Sequence, residues 1–152
     1  MKKINGLVTS IGGNLQSVIL LAMRLYLGWQ LFLIGKGKLL NIDRTAGYFA
    51  TLPYVHYAPK LNVIMAGGAE CFGGLLLLIG LFSRCAGLVV AFTMVVALVT
   101  AEPEALHAIF SNSDKFLKSD PLPYLVLGLL VWAFGPGKVS VDEMMGKGSA
   151  SK

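Results

Sequence analysis

The sequence predicts an all-α membrane protein that crosses the bilayer several times. Of its 152 residues, 55% are hydrophobic and only 14% are charged, and the mean hydropathy is +0.70. A soluble domain of this size carries about 25% charged residues. The apolar residues are also gathered into four runs separated by polar segments. We therefore expect one domain over residues 1–152, built as a four-helix transmembrane bundle.

The four apolar runs give predicted spans at about residues 15–35, 61–82, 85–101 and 120–135. A transmembrane helix needs about 20 residues, in a range of roughly 17 to 25. The first two runs are long enough, and the third lies at the lower limit. The fourth reaches this length only if it begins at Asp120 and Pro121, and proline suits the first turn of a helix.

The connections between the spans predict further features. Only Ser83 and Arg84 separate the second span from the third, which indicates a tight antiparallel hairpin. In the first connection apolar residues recur at helical spacing, with Asp43 and Arg44 on the other side: Leu39, Ile42, Ala46, Phe49 and Leu52. This pattern predicts a short amphipathic helix at the interface that ends at Pro53. The third connection predicts one short helix, and the polar tail, residues 138–152, is expected to fray.

The basic residues do not decide the orientation in the membrane. With both termini on one side, that side carries six basic residues: Lys2, Lys3, Arg84, Lys138, Lys147 and Lys152. The other side also carries six: Lys36, Lys38, Arg44, Lys60, Lys115 and Lys118. The positive-inside rule therefore gives a tie. The acidic third connection favours cytoplasmic termini.

Small residues recur at helical spacing within the spans. Gly28 and Gly35 share a face of the first span, and Gly67 and Gly74 share a face of the second. Small residues allow helices to approach closely in lipid, where no hydrophobic force drives them together. Packing alone explains these glycines, so they predict helix contacts and no chemistry.

Arg24 and Glu70 are the most informative residues, because each lies near the middle of a predicted span. Arg24 is about 13 Å from the start of its run, and Glu70 about 18 Å from the same membrane face. A charge at the bilayer centre costs about 3 kcal/mol or more, so both side chains should face the bundle interior. We expect them to pair with each other. The pair either fixes helix register or forms a polar centre for a ligand, a proton or a quinone head group.

Lys38 and Glu102 are further candidates for a polar binding site. Lys38 shares the Arg24 face but lies about 21 Å further along, at the membrane interface. Glu102 ends the third span on the same side. The two residues form either an ordinary solvated interface or a polar mouth above a cavity.

Several other chemistries are not indicated. The sequence has only two cysteines, Cys71 and Cys85, with no C-x-x-C motif, and we interpret them as buried structural thiols. His56 and His107 lack metal-ligand spacing, so no metal site is predicted. The net charge is +5, but no basic stripe with interleaved aromatic residues is present. The lipid bilayer, and not a nucleic acid, is therefore the predicted partner of the basic residues.

Four features together make the sequence similar to the DoxX family. They are Arg24 in the first span, a Glu-x-x-Gly-Gly helix at residues 70–74, a Gly-Leu-x-Ser-Arg hairpin at residues 80–84, and a Gly-Pro-Gly at residues 135–137. The resemblance covers most of the chain. It implies a bacterial inner-membrane protein with four transmembrane helices. Some members resemble a subunit of thiosulfate:quinone oxidoreductase, and others accompany membrane complexes that handle oxidative or thiol stress.

Three functions are compatible with this resemblance. The first is the membrane subunit of a quinone-linked redox or oxidative-stress complex, in which Arg24 would hold a quinone carbonyl and Glu70 would relay a proton. It would need a soluble or membrane-bound redox partner, because the sequence has no readable cofactor motif. The second is a non-enzymatic assembly or stress factor. The third, a small transporter, ranks last because no inverted repeat is evident. Whether the chain forms a homo-oligomer stays open.

Overall fold

The computed structural model describes the backbone of residues 2–149 and the side chains of residues 12–146. This part of the chain is helical and contains no strand. Four helices form the bundle: α1 (Lys2–Leu40), α3 (Pro59–Ile79), α4 (Ser83–Thr100) and α7 (Leu122–Phe134). Four shorter helices lie outside it: α2 (Ile42–Phe49), α5 (Pro103–His107), α6 (Ser113–Leu117) and α8 (Val141–Ser149).

The helix lengths confirm a polytopic helical membrane protein. Among the described residues, three helical segments are long and apolar enough to cross a bilayer: Gly12–Leu40, Pro59–Ile79 and Ser83–Thr100. The first is longer than predicted, because the helix begins well before residue 15. The helix α7 has only 13 residues, or about 20 Å of rise. It does not include Asp120 and Pro121, which form a turn before it.

The bundle closes as a ring in which α1 packs on α3, α3 on α4, α4 on α7 and α7 on α1. Its centre is filled by buried apolar side chains from all four helices: Leu20, Leu31, Leu77, Val90, Met94, Leu127 and Val131. Large apolar side chains also cover the outside of the helices, which suits contact with lipid.

Glycines set the two closest helix contacts, as the sequence predicts. A Cβ atom built on Gly74 would lie 2.8 Å from the carbonyl oxygen of Gly28, so α1 and α3 touch through their backbones. The contact of α4 with α7 is similar, because a Cβ on Gly87 would lie 2.7 Å from the Gly128 oxygen. Such distances are too short for any side chain. The glycines therefore fix the register of both antiparallel pairs.

The predicted hairpin between the second and third spans is confirmed. The chain leaves α3 through Gly80, whose φ is +74°, and enters α4 through Phe82, whose φ is +46°. The amides of Gly80 and Leu81 both donate to the carbonyl of Leu76, which satisfies the end of α3. The connection is only the three residues Gly80, Leu81 and Phe82, and Ser83 is the first residue of α4.

The connecting segments correct three expectations. The amphipathic helix of the first connection is confirmed as α2, but it ends at Phe49 and not at Pro53, because a series of turns follows it. The third connection holds two short helices, α5 and α6, where one was expected. The tail forms α8 from Val141 onwards instead of fraying; residues 150–152 lie outside the described part.

The glycine contacts give the first testable prediction. Replacing Gly35 by alanine should lower the free energy of unfolding by about 1–3 kcal/mol, because the new Cβ would collide with the backbone of Cys71 in α3. Thermal unfolding in mild detergent measures the change. Gly37→Ala is the matched control, since no atom lies within 4 Å of a Cβ at that position. Equal stability of the two variants would contradict close α1–α3 packing.

Candidate functional site

The two charged residues predicted to lie inside the bundle are both buried. The exposed fraction is 1% for Arg24 and 3% for Glu70. Their predicted pairing, however, is wrong. Each side chain has its own partners, Arg24 at the hairpin end of the bundle and Glu70 near the middle of α3, so the interior contains two separate polar centres.

Arg24 binds backbone carbonyls at the hairpin end of the bundle. Its Nε donates to the Leu77 oxygen at 2.8 Å. Its Nη1 donates to the carbonyls of Pro136 and Val139, the latter at 3.2 Å. Leu77 lies in the last turn of α3, where carbonyls lack intrahelical partners and the helix dipole favours a cation. Arg24 therefore joins α1, α3 and the segment after α7.

Asp142 completes this centre, which we call the Arg24 knot: Arg24, Leu77, Pro136, Val139 and Asp142. The two Asp142 carboxylate oxygens accept hydrogen bonds from the amides of Phe82 and Ser83, each at 2.8 Å. The Asp142 amide donates to the Gly80 oxygen at 2.9 Å. The chain after α7 thus folds back and caps the start of α4. Sequence reasoning assigned Asp142 no role, because the tail appeared merely polar.

The surroundings of Asp142 favour its ionised form. Burial raises the pKa of this carboxyl, but the hydrogen bonds from Ser83 and Phe82, together with the positive charge of Arg24, outweigh it. The pKa therefore lies below its ordinary value of 3.8. A carboxyl of this kind stabilises the folded state above its unfolded pKa, and the contribution is lost as the pH falls through the folded value.

Glu70 pairs with Lys38 in the middle of α3. The Lys38 Nζ lies 2.5 Å from Glu70 Oε1. The Lys38 side chain is 26% exposed and that of Glu70 only 4%. Lys38 is therefore not the solvated interface residue that its position along α1 suggests. Glu70 is the twelfth of 21 residues in α3, so the ion pair lies near the centre of the membrane span.

The direction of helical side chains explains both pairings. Each Cα–Cβ bond tilts towards the N-terminus of its own helix. Because α1 and α3 are antiparallel, Arg24 tilts towards the hairpin while Glu70 tilts the opposite way, and the two diverge. Lys38 and Glu70 tilt towards each other and meet. A Cβ atom built on Gly67 would lie 3.2 Å from the Lys38 Cβ, so the lysine stem lies only one turn of α3 from Glu70.

One oxygen of Glu70 is left without a protein partner. Among the described residues, Glu70 Oε2 is one of three buried side-chain atoms that make no hydrogen bond; the others are Ser83 Oγ and Ser119 Oγ. Leaving a buried polar atom unsatisfied costs about 1–3 kcal/mol, and more for a charged group. Tyr124 of α7 lies within electrostatic range of Glu70. This arrangement leaves Oε2 available to a ligand, a water molecule or a proton.

Two open clefts lie at the end of the bundle that faces α5 and α6. The first, of about 430 Å³, lies between α1 and α7 and is lined among others by Tyr26, Gln30 and Tyr124. The second, of about 570 Å³, lies beside α5 and α6. Lys118 and Ser119 line both clefts. We call these the α1–α7 cleft and the α5–α6 cleft.

Glu102 does not meet Lys38. It lines the α5–α6 cleft, and its Oε1 accepts a hydrogen bond of 3.3 Å from the Asp120 amide. Glu104 forms an exposed ion pair with Lys115, which lowers the pKa of Glu104 through the hydrogen bond and the charge of the lysine. Glu102 therefore belongs to the polar mouth that the sequence suggested as one alternative, while Lys38 lies deeper in the bundle.

The cysteines and histidines form no site within the described residues. Both cysteines are free; Cys71 is half-buried and Cys85 is exposed. The interpretation of Cys85 as a buried thiol is therefore wrong, because it lies on the outer face of the first turn of α4. No group of three histidine, cysteine or acidic side chains is close enough to hold a metal ion in the part that the structure describes.

Asp142→Asn should destabilise the fold by roughly 1–3 kcal/mol at neutral pH, because the charge-assisted hydrogen bonds to α4 are weakened. The difference from the wild type should shrink as the pH falls below 3.8 and the wild-type carboxyl also becomes protonated. Unfolding in detergent across this pH range measures both effects. Asp43→Asn is the control, since its pair with Lys60 is exposed and contributes little. A pH-independent loss would contradict a role for the ionised carboxylate.

Arg24→Lys should loosen the chain after α7. A lysine keeps the charge but cannot span the carbonyls of Leu77, Pro136 and Val139 with one planar group. We expect a loss of about 2 kcal/mol or more in stability and faster proteolysis after Gly137. Limited proteolysis in detergent measures this, with the exposed Arg44→Lys as control. An unchanged cleavage rate would show that the knot does not hold the tail.

One known family matches this sequence. The family model described as DoxX matches residues 19–103. No curated protein and no solved structure matches the chain. The matched region is more than half of the sequence and contains Arg24, Lys38 and Glu70, the residues of both polar centres. It ends before α7 and α8, so Tyr124 and Asp142 lie outside it. On this match, with the helical membrane fold, the chain belongs to the DoxX family.

Proposed function

We propose that this multi-pass membrane protein is the membrane subunit of a quinone-linked redox or oxidative-stress complex. Its ligand site is the Lys38–Glu70 pair together with the α1–α7 cleft. The observation that carries the proposal is the buried, unpartnered Oε2 of Glu70. A purely structural ion pair would be expected to satisfy both carboxylate oxygens, since a half-satisfied charge in the bundle interior is costly.

The α1–α7 cleft, which shares Tyr124 with the surroundings of Glu70, fits the head group of a quinone. A quinone ring is flat and apolar and carries two carbonyl oxygens, so it needs apolar walls and hydrogen-bond donors. The α1–α7 cleft has a suitable volume of about 430 Å³ and is lined by Tyr26, Leu27, Gln30, Pro123 and Tyr124. Its phenol and amide groups are donors. The lipid tail of a membrane quinone would remain in the bilayer beside α1 and α7.

We assign each residue of this site a separate role in binding the quinone or moving a proton. Tyr124 and Gln30 would donate to the carbonyl oxygens and orient the ring. Lys38 holds Glu70 in position through Oε1 and supplies positive charge where negative charge develops. Glu70 Oε2 would hold or release a proton. A bound quinone would supply the electron-accepting chemistry, and a partner protein would supply the electrons.

Arg24 has a different role from the one the sequence suggested. Its Nε and Nη1 are engaged by three backbone carbonyls at the hairpin end of the bundle, far from Glu70. Leu77 and Glu70 are seven residues apart on α3, which corresponds to about 10 Å. We therefore assign Arg24 to positioning the helices and the tail.

We also propose that the protein lies in the bacterial inner membrane with both termini in the cytoplasm.

The test is quinone retention during purification. Wild-type protein extracted in mild detergent should carry quinone in near-stoichiometric amount, measured by mass spectrometry. Glu70→Gln should reduce the retained quinone at least tenfold, because it keeps the side-chain size but removes the charge that holds Lys38. Glu104→Gln is the control, since Glu104 is exposed and distant from the pair.

Equal folding of the three proteins, shown by thermal unfolding, must accompany the comparison. Absence of quinone from well-folded wild-type protein would overturn the proposal. The alternative, a non-enzymatic assembly or stress factor, would then be preferred. In that case the amphipathic helix α2 and the tail helix α8 would be the first surfaces to test for a protein partner.

A further inference from the structure

The Glu70 centre is joined to one end of the bundle by a series of polar groups. Tyr124 lies within electrostatic range of Glu70, of Tyr26 and of Asp120. Asp120 is exposed and lines the α1–α7 cleft. Tyr124 is half-buried and lines the same cleft. The phenol therefore shares a cleft with the acidic group of Asp120 and is close enough to Glu70 for the two groups to interact electrostatically.

Ser119 is a second unsatisfied polar group on this side of the bundle. It is 4% exposed, its Oγ has no hydrogen-bond partner within the described residues, and it lines both clefts. A buried hydroxyl is normally hydrogen-bonded, and water supplies the missing partner when the space is polar and large enough. Clefts of about 430 and 570 Å³ can hold several water molecules.

The hairpin end of the bundle also has an open cleft, of about 390 Å³, whose lining includes Ser17, Arg84 and Asp142. At this end the buried guanidinium of Arg24 and the carboxylate of Asp142 bind backbone groups of the hairpin and the tail. Between this knot and Glu70 lie the buried apolar residues Leu77 and Gly73 of α3. Within the described residues, the buried part of α3 therefore separates the hairpin-end cleft from Glu70.

We propose that water enters the bundle from the α5–α6 side and reaches Glu70 Oε2 past Ser119 and Tyr124. Glu70 then exchanges its proton with the aqueous phase on that side of the membrane and not with the side that holds the hairpin. A proton that arrives through the water binds Oε2, and the tyrosine hydroxyl gives up one proton for each that it accepts. This inference rests on the proposed role of Glu70 and adds the side from which protons reach it.

Cysteine labelling in proteoliposomes tests the route. In a Cys71→Ala, Cys85→Ala background, Ser119→Cys and Tyr124→Cys would be treated with a membrane-impermeant cationic methanethiosulfonate, which reacts with thiols in water. Val126→Cys is the matched control. It lies on the same helix, is 40% exposed on its outer face and lines neither cleft. We expect both cleft cysteines to react at least tenfold faster than the control.

The labelling should also be one-sided. Reaction of Ser119→Cys should require the reagent on the same side as an exposed reporter in α6, Lys115→Cys, and not on the side of Lys138→Cys beyond α7. Reactivity equal to that of Val126→Cys, or labelling from the Lys138 side, would overturn the proposal. Ser119→Cys changes a single atom, so it provides the test even where Tyr124→Cys folds poorly.

Quinone retention, measured on the same background protein, separates this inference from the proposed function. Fast labelling without retained quinone would sustain the water route and reject the quinone site. Retained quinone with slow labelling would reject the water route alone.

Discussion

The close antiparallel packing of α1 on α3 determines the position of every charged group in the interior. Backbone contact at Gly28, Gly35 and Gly74 permits only one register between the two helices. That register brings Arg24 level with the end of α3 and Lys38 within reach of Glu70. A shift of one helical turn would separate at least one of these charges from its partner, which is costly inside a membrane bundle. The glycines are thus as important to the polar centres as the charged residues themselves.

The two polar centres differ in how fully their charged groups are hydrogen-bonded. At the hairpin end, Arg24 and Asp142 are surrounded by backbone groups that satisfy them, and the result is a closed joint between three segments of the chain. At the centre, Glu70 has one satisfied oxygen and one unsatisfied oxygen. Full satisfaction rigidifies a buried polar network, whereas incomplete satisfaction leaves capacity for another molecule. The hairpin end of the bundle therefore has a satisfied polar joint, whereas the centre has an unsatisfied oxygen at which we propose ligand binding.

The sequence predicted the helices better than the contacts between their side chains. Hydropathy and length gave the four bundle helices, glycine spacing gave the close contacts, and the two-residue connection gave the hairpin. The pairing of Arg24 with Glu70 was wrong because the glycine contacts between α1 and α3 bring Arg24 level with the end of α3, about two turns from Glu70. The contacts of Tyr124, Ser119 and Asp142 were not predicted. Their importance comes from contacts between segments distant in the chain, which composition and periodicity do not encode.

The Lys38–Glu70 pair also explains why a lysine in particular suits this position. Lys38 lies near the end of α1, so its long stem can run along α3 while the amine enters the bundle. An arginine would carry a larger, always charged group with more hydrogen bonds to satisfy, and could occupy both oxygens of Glu70 at once. A single ammonium contacts one oxygen and leaves the other free. The choice of cation therefore preserves the unsatisfied atom on which the proposed ligand binding and proton exchange both depend.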